Sequence, residues 1–174
     1  GIIINGMILE GADGAAGEFG HVVVNKQGYK CGCGLTGCLE TYCSATGIAR
    51  EGRRRLLENQ DNELYRVING NLDILEAKHI FDLAKTGDEF SMSIVDFFCE
   101  YLAEGLGMLL NIINPEIVIF SGGVAKARGI LLEGVKKHLP KYALGMTMEN
   151  LKFAFGELDE EAGIKGAAAL VINK

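Results

Sequence analysis

The sequence lacks the features that mark membrane proteins, secreted proteins and nucleic-acid binders. No window approaches the roughly 18 consecutive apolar residues of a membrane span, and no charged leader precedes a short apolar segment with a cleavage site. Acidic side chains outnumber basic ones by 23 to 17, a net charge of −6, and the one basic run is 53–55. This balance lacks the positive patch expected of a nucleic-acid-binding surface. We therefore expect a soluble, cytoplasmic protein with no membrane partner.

The chain also lacks linkers, internal repeats and low-complexity stretches, so its 174 residues are expected to form a single domain, 1–174. The first nine residues predict a buried strand, a tight turn at Asn5-Gly6 and a second strand. Because neither an initiator Met nor a leader precedes that strand, we expect the chain to be part of a longer protein. The alternative is a complete protein that has been processed or cleaved from a tag.

Strand and helix patterns alternate along the chain, which is typical of an α/β fold. The apolar run 116–120 is typical of a strand that is covered on both faces. Asp88 is suited to cap a long helix, and Asn114-Pro115 is expected to end that helix, because proline pushes the residue before it out of the α region. The other predicted elements are a strand at 21–25, helices at 39–58, 77–85 and 127–139, a strand at 151–155 and a helix at 160–172.

Cysteine and glycine are concentrated in the first quarter of the chain. One histidine and three of the five cysteines, His21, Cys31, Cys33 and Cys38, form a complete set of ligands for a tetrahedral zinc ion. Such a closed set leaves no open position for water, which favours a structural zinc. The intervening glycines allow the backbone to turn the sulfurs inward. The alternative is a loop of free thiols near an unrelated histidine, and such dense thiols would be prone to oxidation.

Two glutamates flank the cysteine loop. A zinc ion that drew Cys38 towards His21 would also draw Glu40 towards Glu18. Ionised carboxylates accept hydrogen bonds only, so two of them beside an imidazole suit a ligand with several hydroxyl groups, such as a sugar. The alternative is that both glutamates are solvated loop residues.

Two glycine motifs remain. Gly32, Gly34 and Gly37 match G-x-G-x-x-G, but no strand directly precedes them, so they do not predict a dinucleotide site. Residues 121–124, Ser-Gly-Gly-Val, follow an apolar strand at the edge where open α/β sheets bind nucleotides. No Gly-Lys-Ser/Thr follows, which excludes a Walker A loop.

These motifs resemble a known family, the ROK group of sugar kinases and repressors within the actin-like and hexokinase-like ATPases. Residues 17–21, GEFGH, resemble its E-x-G-H sugar motif, and residues 31–40, CGCGLTGCLE, resemble its C-x-C-G-x-x-G-C-x-E signature. Residues 114–124 are similar to the family's nucleotide-side strand and loop, with Ser121 where a third glycine is common. Residues 162–168 are similar to its closing helix.

The resemblance implies a ribonuclease H-like C-terminal lobe with a zinc-binding loop. It implies zinc on His21, Cys31, Cys33 and Cys38, sugar hydroxyls on Glu18, His21 and Glu40, and ATP against Gly122 and Gly123. The family's catalytic aspartate and first phosphate loop belong to an N-terminal lobe with no counterpart here, so the chain alone is expected to be inactive. Members commonly pair through this lobe, which implies a homodimer.

The first functional hypothesis is a cytoplasmic, ATP- and Mg²⁺-dependent hexose kinase, most simply a glucokinase. The second is the sugar-sensing lobe of a transcriptional repressor of the same family, in which case a helix-turn-helix before this segment would bind DNA. A third is a zinc-stabilised interaction module that binds no sugar. The sequence does not distinguish glucose from N-acetylglucosamine, N-acetylmannosamine, allose or fructose.

Overall fold

The computed structural model describes residues 1–158 and 161–172. β1 (Ile3–Ile4) pairs antiparallel with β2 (Met7–Ile8). Asn5 and Gly6, with φ of +52° and +76°, form the turn between them, as the Asn-Gly pair predicts. The prediction that the first strand is buried is wrong: Ile3 is 71% exposed and Ile4 is 44% exposed. The two strands form a two-stranded sheet to which no third strand of the described chain is added.

The strand predicted at 21–25 is also wrong. Phe19–His21 forms a turn of 3₁₀ helix, and Val23 makes only an isolated antiparallel bridge with Cys38. Val24 donates its backbone N–H to the Gly37 carbonyl at 2.9 Å. Because the segment pairs with a loop that bends sharply at Gly37 (φ +80°) rather than with a strand, the ladder cannot extend.

The helix predicted at 39–58 is divided in two. α1 (Glu40–Cys43) and α2 (Ala45–Glu58) are separated by Ser44, whose backbone is extended at φ −97° and ψ 166°. The Ser44 Oγ accepts a hydrogen bond of 3.0 Å from the Gly47 backbone N–H, the interaction that makes serine a favoured N-cap. The break places Glu40 on the short helix α1, separate from α2.

α3 (Glu63–Val67) is followed by α4 (Ala77–Lys85), whose predicted bounds are confirmed. α5 (Glu89–Ile113) begins where Asp88 accepts a hydrogen bond from the Ser91 backbone N–H at 2.8 Å, and ends at Asn114 in the left-handed conformation. Both ends were predicted. Within the described part of the chain, α5 included, no helix has the length and hydropathy that a membrane crossing requires.

α5 is the centre of the hydrophobic core. It contacts α1, α2, α4 and α6 (Arg128–His138). Its buried face meets fully buried aliphatic side chains of those helices and of the segments between them, because apolar residues three and four apart line one side of a helix. The largest members of this core are Phe98, Ile48, Leu56, Leu64, Ile68, Leu75, Ile80, Ile94, Leu110, Leu131 and Val135.

The predicted strands at the C-terminal end are confirmed. β3 (Ile117–Phe120) pairs in parallel with β4 (Lys152–Phe155). The prediction that β3 is covered on both faces is wrong. Val118 and Phe120 pack against the core, whereas Ile119 on the alternate face is 59% exposed, since successive strand residues point to opposite faces.

α7 (Gly145–Met148) leads into β4, and α8 (Ala162–Ile172) is the final described element. The start predicted for the final helix, Glu160, lies outside the described residues. With α6 between the strands, the alternation of strand and helix that predicted an α/β fold is confirmed for this half of the chain.

Candidate functional site

The four predicted ligands converge. One ligand atom from each of His21, Cys31, Cys33 and Cys38 lies within 4.8 Å of all the others. The Cys33 and Cys38 Sγ atoms are 3.6 Å apart, and the Cys31 Sγ is 3.6 Å from the His21 Nδ1. A tetrahedral ion with Zn–S of about 2.3 Å and Zn–N of about 2.0–2.1 Å has edges of about 3.5–3.8 Å. The donor set and its spacing therefore fit zinc.

The cysteine loop is shaped by close backbone packing. Lys30 bridges to Thr36, which closes the loop at its base. Gly37 has a φ of +80°, and a Cβ there would lie 1.6 Å from the Asn25 carbonyl oxygen. Only glycine fits so close an approach. The tight turn aims Cys38 back towards Cys33.

The thiols differ in their surroundings. Burial raises the pKa of the Cys38 thiol to about 12, and the neighbouring cysteines add to this effect. At Cys33 a hydrogen bond with the Leu35 backbone lowers the pKa of the thiol instead. Cysteines bind metals as thiolates, and a divalent cation supplies the positive charge that deprotonates them. These thiols could hold Zn²⁺ as a group.

Glu18 and Glu40 come together on either side of His21. The His21 Nε2 is 3.7 Å from the Glu18 Oε2, and its Nδ1 is 3.6 Å from the Glu40 Oε2. Glu40 also lies 3.9 Å from the Cys31 Sγ. Both carboxylates are more than half exposed, so their oxygens are open to a ligand. The arrangement offers acceptors to hydroxyl donors.

A pocket of about 450 Å³ opens on this cluster, within the range of small-molecule sites. Its floor combines the cysteine loop with the start of α2. It is lined by His21, Lys30, Cys31, Gly32, Cys33, Glu40, Thr41, Ser44, Thr46 and Arg50. No sequence pattern indicates the contribution of α2 to this pocket, because only the fold brings that helix beside the loop.

The loop after β3 borders a second, larger groove of about 910 Å³. Gly122 has a φ of +87°, and neither Gly122 nor Gly123 has any atom within 4 Å of where a Cβ would lie. Ser121 and Gly123 line one side of the groove, and side chains of α2 and α4, including Arg53 and Phe81, line the other. No local spacing in the sequence predicts that wall.

The two cavities are neighbours. Thr46, in the first turn of α2, lines both of them. A ligand in the groove beside Gly123 and a ligand in the pocket beside Glu40 would therefore be bound close together. This proximity suits a reaction that joins two ligands.

Known proteins are similar to this chain in sequence and in fold. The glucokinase of Halalkalibacterium halodurans is 40% identical over 172 residues, which cover 98% of this chain and 52% of that protein. The DNA-binding transcriptional dual regulator NagC of Escherichia coli K12 is 30% identical over 171 residues, 98% of this chain and 40% of that protein. A ROK family glucokinase from Streptomyces griseus, in complex with glucose and AMPPNP, superposes with a TM-score of 0.87 at 30% identity.

That alignment covers 97% of this chain and 55% of the Streptomyces chain. The chain thus spans about half the length of the glucokinases it matches. A family model described as ROK family matches residues 1–174. The resemblance drawn from the cysteine and glycine motifs is confirmed: the chain belongs to the ROK family.

Proposed function

We propose that this chain is the C-terminal, sugar- and nucleotide-binding lobe of a cytoplasmic, ATP-dependent hexose kinase with glucose as its substrate. The observation that carries the proposal is the placement of His21, which lies between the Glu18 and Glu40 carboxylates. His21 and Glu40 line a pocket that shares Thr46 with a nucleotide-sized groove. The glucokinase relative and the Streptomyces complex with glucose and AMPPNP support the same function.

In this proposal His21, Cys31, Cys33 and Cys38 bind a structural zinc ion. Four protein ligands complete a tetrahedron, so the ion would supply rigidity rather than an activated water. With the Nδ1 of His21 facing the metal cluster, its Nε2 remains available on the side of Glu18. Metal ligation of one nitrogen fixes the ring plane, which prepares the other for hydrogen bonding.

The sugar is proposed to bind in the pocket beside Glu18, His21 and Glu40. Its hydroxyl groups would donate to the two carboxylates, and charge-assisted hydrogen bonds of this kind are stronger than neutral ones. Because the Glu18 and Glu40 carboxylates lie on opposite sides of the His21 ring, they would orient the sugar as well as strengthen its binding. Orientation matters because phosphoryl transfer depends on the alignment of the attacking hydroxyl.

ATP with Mg²⁺ is proposed to bind in the larger groove, with its phosphates against Gly122 and Gly123. The absence of Cβ atoms there lets phosphate oxygens reach the backbone. We assign the general base, an aspartate in the family, to an N-terminal lobe outside this chain, so the chain alone is not expected to transfer a phosphoryl group. We also propose a homodimer, which light scattering on the full-length protein would test.

The second candidate function is the sugar-sensing lobe of a transcriptional repressor. The similarity to NagC over 98% of this chain favours it, since sugar recognition by one lobe serves either activity. In a repressor the sugar would shift a conformational equilibrium instead of being phosphorylated. Residues that precede this segment in the full-length protein distinguish the repressor from the kinase. A helix-turn-helix there would indicate the repressor, and a phosphate loop with the aspartate would indicate the kinase.

The experiment is a coupled ADP-release assay on the full-length protein with ATP, Mg²⁺ and a panel of glucose, N-acetylglucosamine, N-acetylmannosamine, allose and fructose. The proposal expects turnover with glucose and its collapse in Glu18→Gln. Glu149→Gln is the matched control: Glu149 is exposed like Glu18 and lines neither cavity, but it is not one of the two carboxylates that lie beside His21. A folded, zinc-loaded protein that turns over no sugar, yet binds one, would favour the repressor.

A further inference from the structure

Arg50 connects the two segments that form the sugar pocket. It lies on α2, and its side chain lines the pocket together with His21, Cys31 and Glu40. One guanidinium nitrogen donates to the Thr41 carbonyl oxygen. The guanidinium carbon also lies 3.8 Å from the centroid of the Tyr29 ring, a cation–π contact.

Each partner of Arg50 is next to part of the site. Thr41 directly follows Glu40, and its hydroxyl donates to the Cys38 carbonyl at 2.7 Å. Tyr29 precedes Cys31 by two residues, and its carbonyl accepts a hydrogen bond of 2.8 Å from the Gly37 backbone N–H. The guanidinium therefore contacts the backbone that carries Glu40 and the ring at the base of the cysteine loop.

The break in the helix at Ser44 gives this link a structural role beside the packing of α1 on α5. α1 has only four residues, and a helix so short has little stability of its own. α2 is anchored by Ile48 and Leu56, both fully buried. Its first turn also lies directly under Thr41, because a Cβ on Gly47 would be 2.7 Å from the Thr41 carbonyl oxygen. The anchored helix thus supports α1 through backbone contact and through Arg50.

We propose that Arg50 is a positioning residue that holds Glu40 in a fixed position relative to the cysteine loop. The inference rests on the sugar site proposed above, because it assigns to Arg50 the geometry of that site rather than a contact with the reacting atoms. Lysine cannot replace it. A compact ammonium has no plane to stack on Tyr29 while it donates to Thr41, whereas the guanidinium does both.

The test compares Arg50→Met and Arg50→Lys with Arg55→Met in the full-length protein. Arg55 is a close match: it lies on the same helix, it lies over an aromatic ring at 5.4 Å from the Phe97 centroid, and it donates to the Glu51 carboxylate and the Ser93 hydroxyl. It lines neither cavity. A purely structural arginine should behave like Arg55.

We expect both Arg50 variants to keep one zinc per chain, to release it to a chelator several-fold faster than the wild type, and to raise the KM for the sugar about tenfold. The KM for ATP should not change, and Arg55→Met should alter only the melting temperature. Arg50 variants with wild-type zinc release and sugar KM would overturn the inference while leaving the kinase proposal intact. Faster zinc release with an unchanged sugar KM would also overturn it.

A wild-type protein that turns over none of the sugars would instead count against the kinase proposal. In that case the same variants are compared by calorimetric titration with glucose and N-acetylglucosamine. The positioning role then predicts that the Arg50 variants bind the sugar more weakly than the wild type does. Equal binding by variants and wild type overturns the inference, and so does a wild type that binds neither sugar.

Discussion

His21 presents one ring nitrogen to each of two carboxylates. Its Nε2 faces Glu18 at 3.7 Å, and its Nδ1 faces Glu40 at 3.6 Å beside the Cys31 sulfur. A freely rotating imidazole would keep neither relationship. Both the metal-ligand cluster and the contacts of His21 with the Glu18 and Glu40 carboxylates therefore depend on the orientation of the His21 ring.

Removal of the metal should destabilise the protein. Structural zinc contributes free energy of folding directly, and for a domain of this size each 1 kcal/mol corresponds to about 2–4 °C in Tm. We expect verified zinc removal to lower the Tm by about 10 °C or more in differential scanning calorimetry, and Cys33→Ser to abolish zinc binding. Cys99→Ser, a change in the core away from the loop, should keep one zinc per chain. An unchanged melt of zinc-free protein would contradict the structural role.

Loss of either acceptor carboxylate should weaken sugar binding. A hydrogen bond to a charged group contributes about 1.5–3 kcal/mol, so Glu18→Gln and Glu40→Gln should each weaken sugar binding by about tenfold or more. Isothermal titration calorimetry on the zinc-loaded full-length protein measures this directly. Glu149→Gln should bind as the wild type does. Wild-type affinity in both site variants would show that the sugar binds elsewhere.

Two glycines of the cysteine loop should respond very differently to substitution by alanine. At Gly37 the φ is +80° and the new Cβ would collide with the Asn25 carbonyl oxygen, whereas at Gly32 no atom lies within 4 Å. Gly37→Ala should therefore cost about 3 kcal/mol or more of unfolding free energy, beyond the usual strain of alanine at positive φ, and should weaken zinc binding. Gly32→Ala should change stability by less than about 0.5 kcal/mol. Urea denaturation and zinc analysis of the two variants test the difference, and equal tolerance would contradict the loop geometry.

Glu51 should make stability depend on acid pH. Its side chain is 4% exposed and accepts hydrogen bonds from Arg54 and Arg55 at 2.7–2.9 Å. Burial alone would raise the pKa of this carboxyl, but the two arginines hold the pKa below its ordinary value. A depressed pKa gives stability that is complete above the unfolded value near 4.3 and is lost as the pH falls through the folded value.

Glu51→Gln should therefore lower the unfolding free energy by about 1–3 kcal/mol at pH 7, with the difference from wild type shrinking below about pH 4. Denaturation curves at several pH values measure both effects. Asp82→Asn removes two exposed ion pairs, with Lys78 and with Lys85, and should cost less than about 1 kcal/mol. A loss in Glu51→Gln that is the same at pH 3 and pH 7 would contradict the ion-pair explanation.

Local signals were sufficient for part of the fold. The capping carboxylate of Asp88 and the Asn114-Pro115 step predicted the two ends of α5, and the apolar run before Ser121 predicted β3. These signals suffice because caps, proline and short apolar runs act within a few residues. The same signals failed for burial. Whether Ile3 or Ile119 is covered depends on partners far along the chain, about which alternation in the sequence says nothing.

The site was predictable to a similar degree. Spacing placed His21 with the three cysteines, and Glu40 followed because it is only two residues from Cys38. The helix break at Ser44 was not predicted, since a serine within an amphipathic pattern is compatible with an uninterrupted helix. The contributions of Arg50 and Thr46 to the pocket were missed for the same reason: both depend on how α2 packs after that break.

The proposed zinc and sugar sites are tested together by a crystal structure of the full-length protein with glucose, with diffraction recorded on both sides of the zinc absorption edge. We expect one anomalous peak enclosed by His21, Cys31, Cys33 and Cys38, and sugar hydroxyls within hydrogen-bond distance of the Glu18 and Glu40 carboxylates. An absence of the peak, or glucose bound away from these carboxylates, would contradict this expectation.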